Sequence, residues 1–253
     1  DAGKWVTWAS LCPAAPAYNS GLDFGEIVVP TPETVLVSTL MAQLLERNMH
    51  VMLVGPTGTG KTVNVLRYLS KTAGSEVVPI TFTFSARTTA MQLQSYIEER
   101  CEKRRRNEYG PPIGNKFVAF LDDLNLPRPE EYGAQPPLEL LRQWLTYGGW
   151  YNIQSMAVRR IVDTAVVAAM GTPGGGRHAI TPRLPRHFNL ITCGKFSDDS
   201  KRRMFQATLS GFLEVSGFHA AIQSLAEPVT KACVEVYNAV CATMLPTPSK
   251  PHY

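Results

Sequence analysis

A glycine-rich segment that ends in lysine and threonine is the strongest chemical signal in the sequence. Residues 55–62 match the P-loop pattern G-x-x-x-x-G-K-[ST] in full. An apolar run precedes the segment and a helical pattern follows it, which is the context that this motif requires. Glycines let the backbone curl so that successive N–H groups point inward, and this nest binds phosphate oxygens at the start of a helix. The segment therefore predicts a site for a nucleotide.

Two side chains at the end of this segment have separate expected roles. The Lys61 ammonium would reach the β- and γ-phosphates, and the Thr62 hydroxyl would bind Mg²⁺. The implied cofactors are thus ATP or ADP together with Mg²⁺. A glycine-rich turn with a solvated lysine is the simpler alternative, and the flanking strand and helix argue against it. The predicted nucleotide-binding residues here are Gly55, Pro56, Thr57, Gly58, Thr59, Gly60, Lys61 and Thr62.

Two consecutive carboxylates follow a second apolar run, Phe117–Leu121. Asp122 at its end is predicted to hold Mg²⁺ opposite Thr62. Asp123 occupies the position where a working ATPase normally carries glutamate, which polarises the attacking water. Aspartate is one methylene shorter, and a displacement of about an ångström can cost about 10²-fold in rate. Asp123 is therefore a weak candidate for water activation, and slow hydrolysis or binding alone is expected.

Two later loops are candidates for completing the site. About 60 residues separate Lys61 from Asp122, a spacing found in P-loop ATPases with an additional strand, including AAA+ proteins. AAA+ proteins place a residue that senses the γ-phosphate at the end of the next strand; here that position is Gly171, which has no side chain. Thr172 could substitute for it, or the loop could simply be flexible.

An arginine before the last predicted strand could act on a neighbouring site. Arg186 is the candidate arginine finger, which in AAA+ rings reaches the nucleotide of the adjacent module and stabilises transferring charge. Arg183 is the alternate candidate. An arginine that merely lies on the surface is the other interpretation of either residue.

The elements that must position these residues follow from the apolar pattern. It predicts strands over 51–54, 77–84, 117–121, 162–170 and 188–193, and helices over 32–47, 63–70, 88–106 and from 136 to the glycines at 148–149. Alternating helices and continuous apolar strands predict an α/β fold whose mostly parallel five-stranded sheet is flanked by helices. We expect a lead-in over 1–23, a large nucleotide-binding subdomain over 24–197 and a small helical subdomain over 198–253.

Composition excludes several classes of protein. The 253 residues are 44% apolar and 18% charged with a net charge of +4, which suits a folded chain with a core. No apolar run is long enough for a membrane span, and acidic residues balance the basic run 103–106, so neither membrane nor nucleic acid is an expected partner. Five scattered cysteines predict neither a disulfide framework nor a zinc site, and favour a reducing compartment. The non-Met start suggests a piece of a longer chain.

Several longer sequence segments resemble dynein heavy chains. They are Val54–Thr62, Phe84–Ala86, Gly110–Pro112, Asp122–Pro127, Tyr132–Pro137, Leu140–Trp144, Gly174–Arg177 and Leu245–Pro248. Together they resemble the third AAA+ module of the dynein motor ring in its axonemal version, over about residues 24–253. The resemblance implies an AAA+ fold with a small helical lid. It also implies that the strand before the first helix supplies the adenine wall, here Val28, Val29 and Pro30.

The resemblance also carries expectations about the whole protein. It implies a six-module ring in one chain, in which the third module is a regulatory nucleotide site. The implied partners are the neighbouring AAA+ modules and, through the full-length protein, microtubules; the implied location is the cytoskeleton of the cytoplasm, in the axoneme of a cilium or flagellum. Asp123 departs from the glutamate of cytoplasmic relatives. The chain also stops before the position of the usual lid arginine, so we expect an incomplete lid.

Three functions remain open at this point. The first is a regulatory module that binds ATP or ADP and hydrolyses ATP weakly or, in isolation, not at all. The second is a catalytically competent AAA+ ATPase, such as a remodelling module. The third is a structural module that holds a permanent nucleotide.

Overall fold

The computed structural model describes residues 3, 5–72, 74 and 76–244. The chain forms two compact units, Val37–Gly194 and a second one that joins Asp1–Leu36 to Lys195–Tyr253. The expected division at residues 23 and 197 concerns AAA+ subdomains and stays a prediction. Of the sequence segments on which the resemblance is based, Leu245–Pro248 lies outside the described residues.

The order of elements alternates strands and helices through the first unit. The helices are α1 (Pro32–Glu46), α2 (Lys61–Thr72), α3 (Ala90–Glu98), α4 (Pro136–Tyr147), α5 (Asp198–Val215), α6 (Ala220–Gln223) and α7 (Ala226–Thr243). The strands are β1 (Val51–Val54), β2 (Val77–Thr83), β3 (Glu102–Arg105), β4 (Glu108–Gly110), β5 (Lys116–Asp122), β6 (Gly149–Tyr151), β7 (Val158–Ile161), β8 (Thr164–Met170) and β9 (Asn189–Thr192). Short 3-10 helices cover Phe24–Glu26 and Pro185–His187.

A five-stranded sheet forms the centre of the unit Val37–Gly194. Its order is β2-β5-β8-β1-β9, and every neighbouring pair is parallel. Alternate residues of β5 pack into different apolar clusters: Phe117 and Leu121 into one, Val118 and Phe120 into the other. Both faces of the strand are therefore covered, which explains its uninterrupted apolar sequence. The predicted fold class and its five-stranded parallel sheet are confirmed.

Helices cover both faces of this sheet, which we call the large sheet. Leu93 of α3 and Leu141 of α4 are buried in one cluster, whereas Met41 of α1 and Val65 of α2 are buried in the other. Helix α4 begins with proline in its first turn and ends at Gly148, whose φ of +71° closes the last turn without steric cost. The predicted ends of most elements differ from the observed ones by one or two residues.

The predicted helix over 88–106 is wrong beyond residue 98. Helix α3 ends there, and the basic run enters a hairpin, β3–β4, that turns through Asn107 with φ +63°. Strands β3 and β4 join β7 and β6 in a second sheet of order β3-β4-β7-β6, the small sheet. Arg104 stabilises this hairpin in place of the predicted helix. Its guanidinium donates to the carbonyls of Pro111 and Pro112 and pairs with Asp163.

The second unit is helical in its carboxyl-terminal part. Ser197 caps α5 by accepting a hydrogen bond from the backbone N–H of Ser200, and Glu33 accepts from both serine hydroxyls. The ring of Tyr18 lies edge-on to that of Phe212, with centroids 6.2 Å apart. Among the helices of the described residues, none combines the length and apolar character that crossing a bilayer requires.

Candidate functional site

The P-loop connects β1 to α2 as a tight phosphate nest. Gly58 and Gly60 take φ values of +80° and +73°, which side-chain-bearing residues rarely adopt. Gly55 lies so close to the neighbouring strand that a Cβ there would overlap the carbonyl oxygen of Cys193. The hydroxyl of Thr59 donates to the Pro56 carbonyl at 2.9 Å and fixes the loop from within. The loop therefore presents its N–H groups at the start of α2, where the helix dipole favours an anion.

The Lys61 ammonium lies against this loop. Its Nζ donates to the carbonyls of Gly55 at 2.8 Å and Pro56 at 2.7 Å. Burial lowers the pKa of Lys61, and the positive charge of Arg177 lowers it further, whereas Asp122 and Asp123 act in the opposite direction. Lys61 thus lies within electrostatic reach of both aspartates and of an arginine that the sequence analysis did not assign to the site.

The structure brings the side chains of Thr62 and Asp122 together, and their role as magnesium ligands stays a prediction. The Thr62 hydroxyl donates to Oδ2 of Asp122 at 2.7 Å, although 60 positions separate them in the sequence. Oδ1 of Asp122 accepts the backbone N–H of Asp123 at 2.9 Å, which fixes the carboxylate. Hydroxyl and carboxylate oxygens are ligands that Mg²⁺ prefers. Within the described ranges, no group of three or more His, Cys, Asp or Glu side chains could hold a metal ion.

Asp123 does not project freely into the site. Its φ of +51° places it in the left-handed region, and Oδ1 pairs with Nη2 of Arg177 at 3.4 Å. Its carbonyl accepts the N–H of Leu126, which closes a turn directly after β5. The candidate for water activation is therefore held in an ion pair by a residue of its own chain.

The loop after β8 brings Arg177 to this position. Gly171 is buried, and a Cβ there would overlap Cδ and Nε of Arg177. Asn125, fully buried, anchors both ends of the loop: its side chain donates to the Gly171 carbonyl at 2.8 Å, and its carbonyl accepts the His178 N–H at 2.9 Å. Thr172, the suggested substitute, is exposed. The Arg177 side chain thus occupies the space at Gly171 in which a side chain that senses the γ-phosphate was expected.

The remaining predicted site residues lie elsewhere. Arg186 and Arg183 are exposed, and Nε of Arg186 donates to Nε2 of His187 at 3.3 Å. Within the described part of the chain, Arg186 makes no hydrogen bond or ion pair with the P-loop or with either aspartate. Val28 is half-buried and Val29 and Pro30 are buried in the segment before α1. The roles of these residues as finger and adenine wall stay predictions.

Comparison with known proteins identifies the family of this chain. The family described as "P-loop containing dynein motor region" matches residues 16–196. Dynein axonemal heavy chain 1 of Mus musculus is 42% identical over 99% of this chain, and dynein axonemal heavy chain 12 of Rattus norvegicus is 40% identical over 99%. Dynein axonemal heavy chain 6 of Homo sapiens is 40% identical over 100%.

The chain spans only 6% to 8% of the length of these three relatives. The match nevertheless includes the P-loop, both aspartates and the loop that carries Arg177, and it confirms the resemblance to axonemal dynein heavy chains at the level of the family. The chain belongs to the P-loop-containing dynein motor regions.

Proposed function

We propose that this chain is a regulatory AAA+ module of an axonemal dynein heavy chain, the third of its ring, and that it binds ATP or ADP with Mg²⁺. The observation that carries the proposal is the 2.7 Å hydrogen bond between Thr62 and Asp122 beside the phosphate nest. The pair offers two oxygen ligands to Mg²⁺, and the nest offers N–H donors to the phosphates. Bound Mg²⁺ would neutralise charge on the phosphates.

The state of Asp123 supports weak hydrolysis. A general base must lie within hydrogen-bond reach of the proton that it removes. Asp123 is one methylene shorter than glutamate, and its left-handed backbone conformation begins a turn. Both features reduce the reach of its carboxylate toward an attacking water, whereas neither weakens the phosphate nest. Nucleotide binding with slow turnover follows from this combination.

The ring-level parts of the proposal rest on the family. Neighbouring AAA+ modules of the same heavy chain would surround this one, and the complete protein would move along microtubules in the axoneme of a cilium or flagellum. Arg186 would act on the nucleotide of an adjacent module, which its exposure permits. Val28, Val29 and Pro30 would contact the adenine.

Isothermal titration calorimetry of Lys61→Ala tests the binding proposal. Removing the ammonium deletes a charge-assisted contact to the phosphates, so we expect the affinity for Mg·ATP to fall about 10- to 100-fold. The matched control is Lys71→Ala, an exposed lysine at the other end of the same helix, which should bind as the unaltered chain does. Equal affinities in the two variants would contradict the P-loop assignment.

Phosphate release measures the hydrolysis part separately. Turnover on the order of 1 s⁻¹ or faster that disappears in Lys61→Ala would show a competent ATPase and contradict weak hydrolysis. Tight binding with much slower release supports the regulatory module. A nucleotide that never exchanges would support the structural alternative instead.

A further inference from the structure

Arg177 is a cation at the nucleotide site that pairs with Asp123 through only part of its guanidinium. Its side chain is 20% exposed, and its ion pair with Asp123 at 3.4 Å is long for a charge-assisted hydrogen bond. Its Nε is buried and has no hydrogen-bond partner in the described structure. A buried donor without a partner costs free energy, so this guanidinium gains from any acceptor brought within its reach. Arg177 therefore has donors available for a further anion.

Its surroundings indicate which anion that is. Arg177 pairs with Asp123, and the preceding residue, Asp122, accepts a hydrogen bond from the hydroxyl of Thr62 in the first turn of α2. The guanidinium therefore lies at the same end of the large sheet as Lys61. Lys61 begins the helix that follows the phosphate nest. An anion in the nest is consequently attracted by both cations, and a guanidinium binds phosphate oxygens in a forked geometry. Among the described residues, the guanidinium of Arg177 has one hydrogen-bond acceptor, the carboxylate of Asp123.

The loop that carries Arg177 is a glycine-rich turn closed by two backbone hydrogen bonds: the Gly174 N–H donates to the Arg177 carbonyl at 2.9 Å, and the Arg177 N–H donates to the Gly174 carbonyl at 3.1 Å. Gly174, Gly175 and Gly176 have φ values of +123°, +57° and +83°, so no side chain restricts this stretch. Asn125 fixes the loop at Gly171 and His178, on either side of the glycines. Because the backbone is held at these points, the Arg177 side chain can exchange one acceptor for another by rotation about its own bonds, without disturbing the large sheet.

We propose that Arg177 is a cis-acting residue that distinguishes nucleoside triphosphate from diphosphate, by leaving Asp123 for the terminal phosphate of the triphosphate. This inference rests on the proposed function and deepens it. A diphosphate lacks that phosphate, so Arg177 stays with Asp123. A triphosphate competes with the carboxylate for the guanidinium because it carries more negative charge. Occupation by triphosphate thereby also releases Asp123, which couples the state of the nucleotide to the carboxylate at the end of β5.

Affinities for ATP and ADP, each with Mg²⁺, test this inference by calorimetry at fixed ionic strength. For Arg177→Gln we expect ATP binding to weaken about 10-fold or more, while ADP binding changes less than about 2-fold. The control is Arg160→Gln, which removes an exposed arginine of the small sheet and should alter neither affinity. An unchanged ratio of ATP to ADP affinity in Arg177→Gln would overturn the inference.

Gly171→Ala provides a second variant that keeps the guanidinium. The added Cβ overlaps only the flexible side chain of Arg177, so it should displace that side chain and cause the same selective loss of ATP affinity. Asp123→Asn should have the opposite effect and strengthen ATP binding, because it frees Arg177. That gain should vanish in the double variant with Arg177→Gln, which a purely structural role would not produce. A gain that persists there would overturn the inference.

The same measurements separate this inference from the proposed function. If the unaltered chain binds neither nucleotide, both fail. If it binds both nucleotides and loses them in Lys61→Ala, but Arg177→Gln and Gly171→Ala keep its ratio of affinities, only the role of Arg177 fails.

Discussion

The two sheets of this protein are stabilised by different interactions. The large sheet has apolar side chains on both faces, and Val118, Ala119, Phe120 and Leu121 of β5 are essentially inaccessible to solvent. The small sheet contains short strands of mixed polarity around one carboxylate. Oε1 of Glu98 accepts from Nε1 of Trp150 at 2.7 Å and from Nε2 of Gln94 at 2.9 Å, and Oε2 pairs with Arg159 at 2.5 Å.

The consequence of this difference concerns function. Apolar burial is non-directional and cooperative, so the large sheet can hold Thr62 and Asp122 in register across an intervening strand. The polar network of the small sheet depends on each donor finding its acceptor, and loss of one group leaves the others unpaired. We therefore expect substitutions in the large sheet to affect the nucleotide site, and substitutions in the small sheet to act locally.

The largest expected effect is on the large sheet. Phe120→Ala removes a fully buried ring from the strand that ends in Asp122, and it should lower the free energy of unfolding by about 3–5 kcal/mol. Urea denaturation measures this loss, and nucleotide affinity should fall with it. The control Leu190→Ala, on an exposed position of the edge strand β9, should change stability by less than about 0.5 kcal/mol. Similar losses in both variants would contradict the contrast between core and edge.

The next effect is on the small sheet. Glu98→Ala leaves the Trp150 indole, the Gln94 amide and the Arg159 guanidinium without their common acceptor, which should cost about 1–3 kcal/mol. Local opening should speed tryptic cleavage at 103–106, while nucleotide affinity stays unchanged. Glu102→Ala, an exposed carboxylate of the same sheet, is the control for charge. Loss of nucleotide binding in Glu98→Ala would show that the sheets are not independent.

The same contrast explains how much could be predicted from the sequence. The strands of the large sheet are continuous apolar runs, and the P-loop requires a strand before it and a carboxylate-bearing strand in the same sheet. The approach of Thr62 to Asp122 could therefore be predicted from the motif. Strand β3 contains no apolar residue. Its hairpin is held in the small sheet because β4 pairs with β7, about 50 positions further along the chain. A local pattern carries no signal for such a pairing.

The contact between Arg177 and Asp123 could not be predicted for a related reason. It depends on a left-handed conformation at Asp123 and on a loop whose path is set by three glycines and by Asn125. Asn125 is buried, yet a single asparagine after a strand predicts only a turn. The one available signal was the missing side chain at Gly171, which leaves room for a long side chain from elsewhere in the chain.

The smallest expected effect is a pH dependence of the large sheet. His50 precedes β1, and its Nδ1 accepts the backbone N–H of Val166 in β8 at 3.1 Å. Burial lowers the pKa of His50, and the charges of His187 and Lys116 lower it further. The folded state therefore binds a proton less readily than the unfolded chain, whose imidazole has a pKa of 6.5. The stabilisation is complete above that pH and is lost as the pH falls through the lowered value.

Urea denaturation at about pH 7.5 and about pH 5.5 measures this dependence in a range where carboxylates remain largely ionised. Protonation of Nδ1 turns an acceptor into a donor that faces another donor, so acidification should cost up to about 1 kcal/mol, the net contribution of one hydrogen bond. His50→Gln should reduce the dependence, because glutamine does not titrate. Glu98→Ala should retain it, because its effect is confined to the small sheet. The same dependence in His50→Gln as in the unaltered chain would exclude His50 as its source.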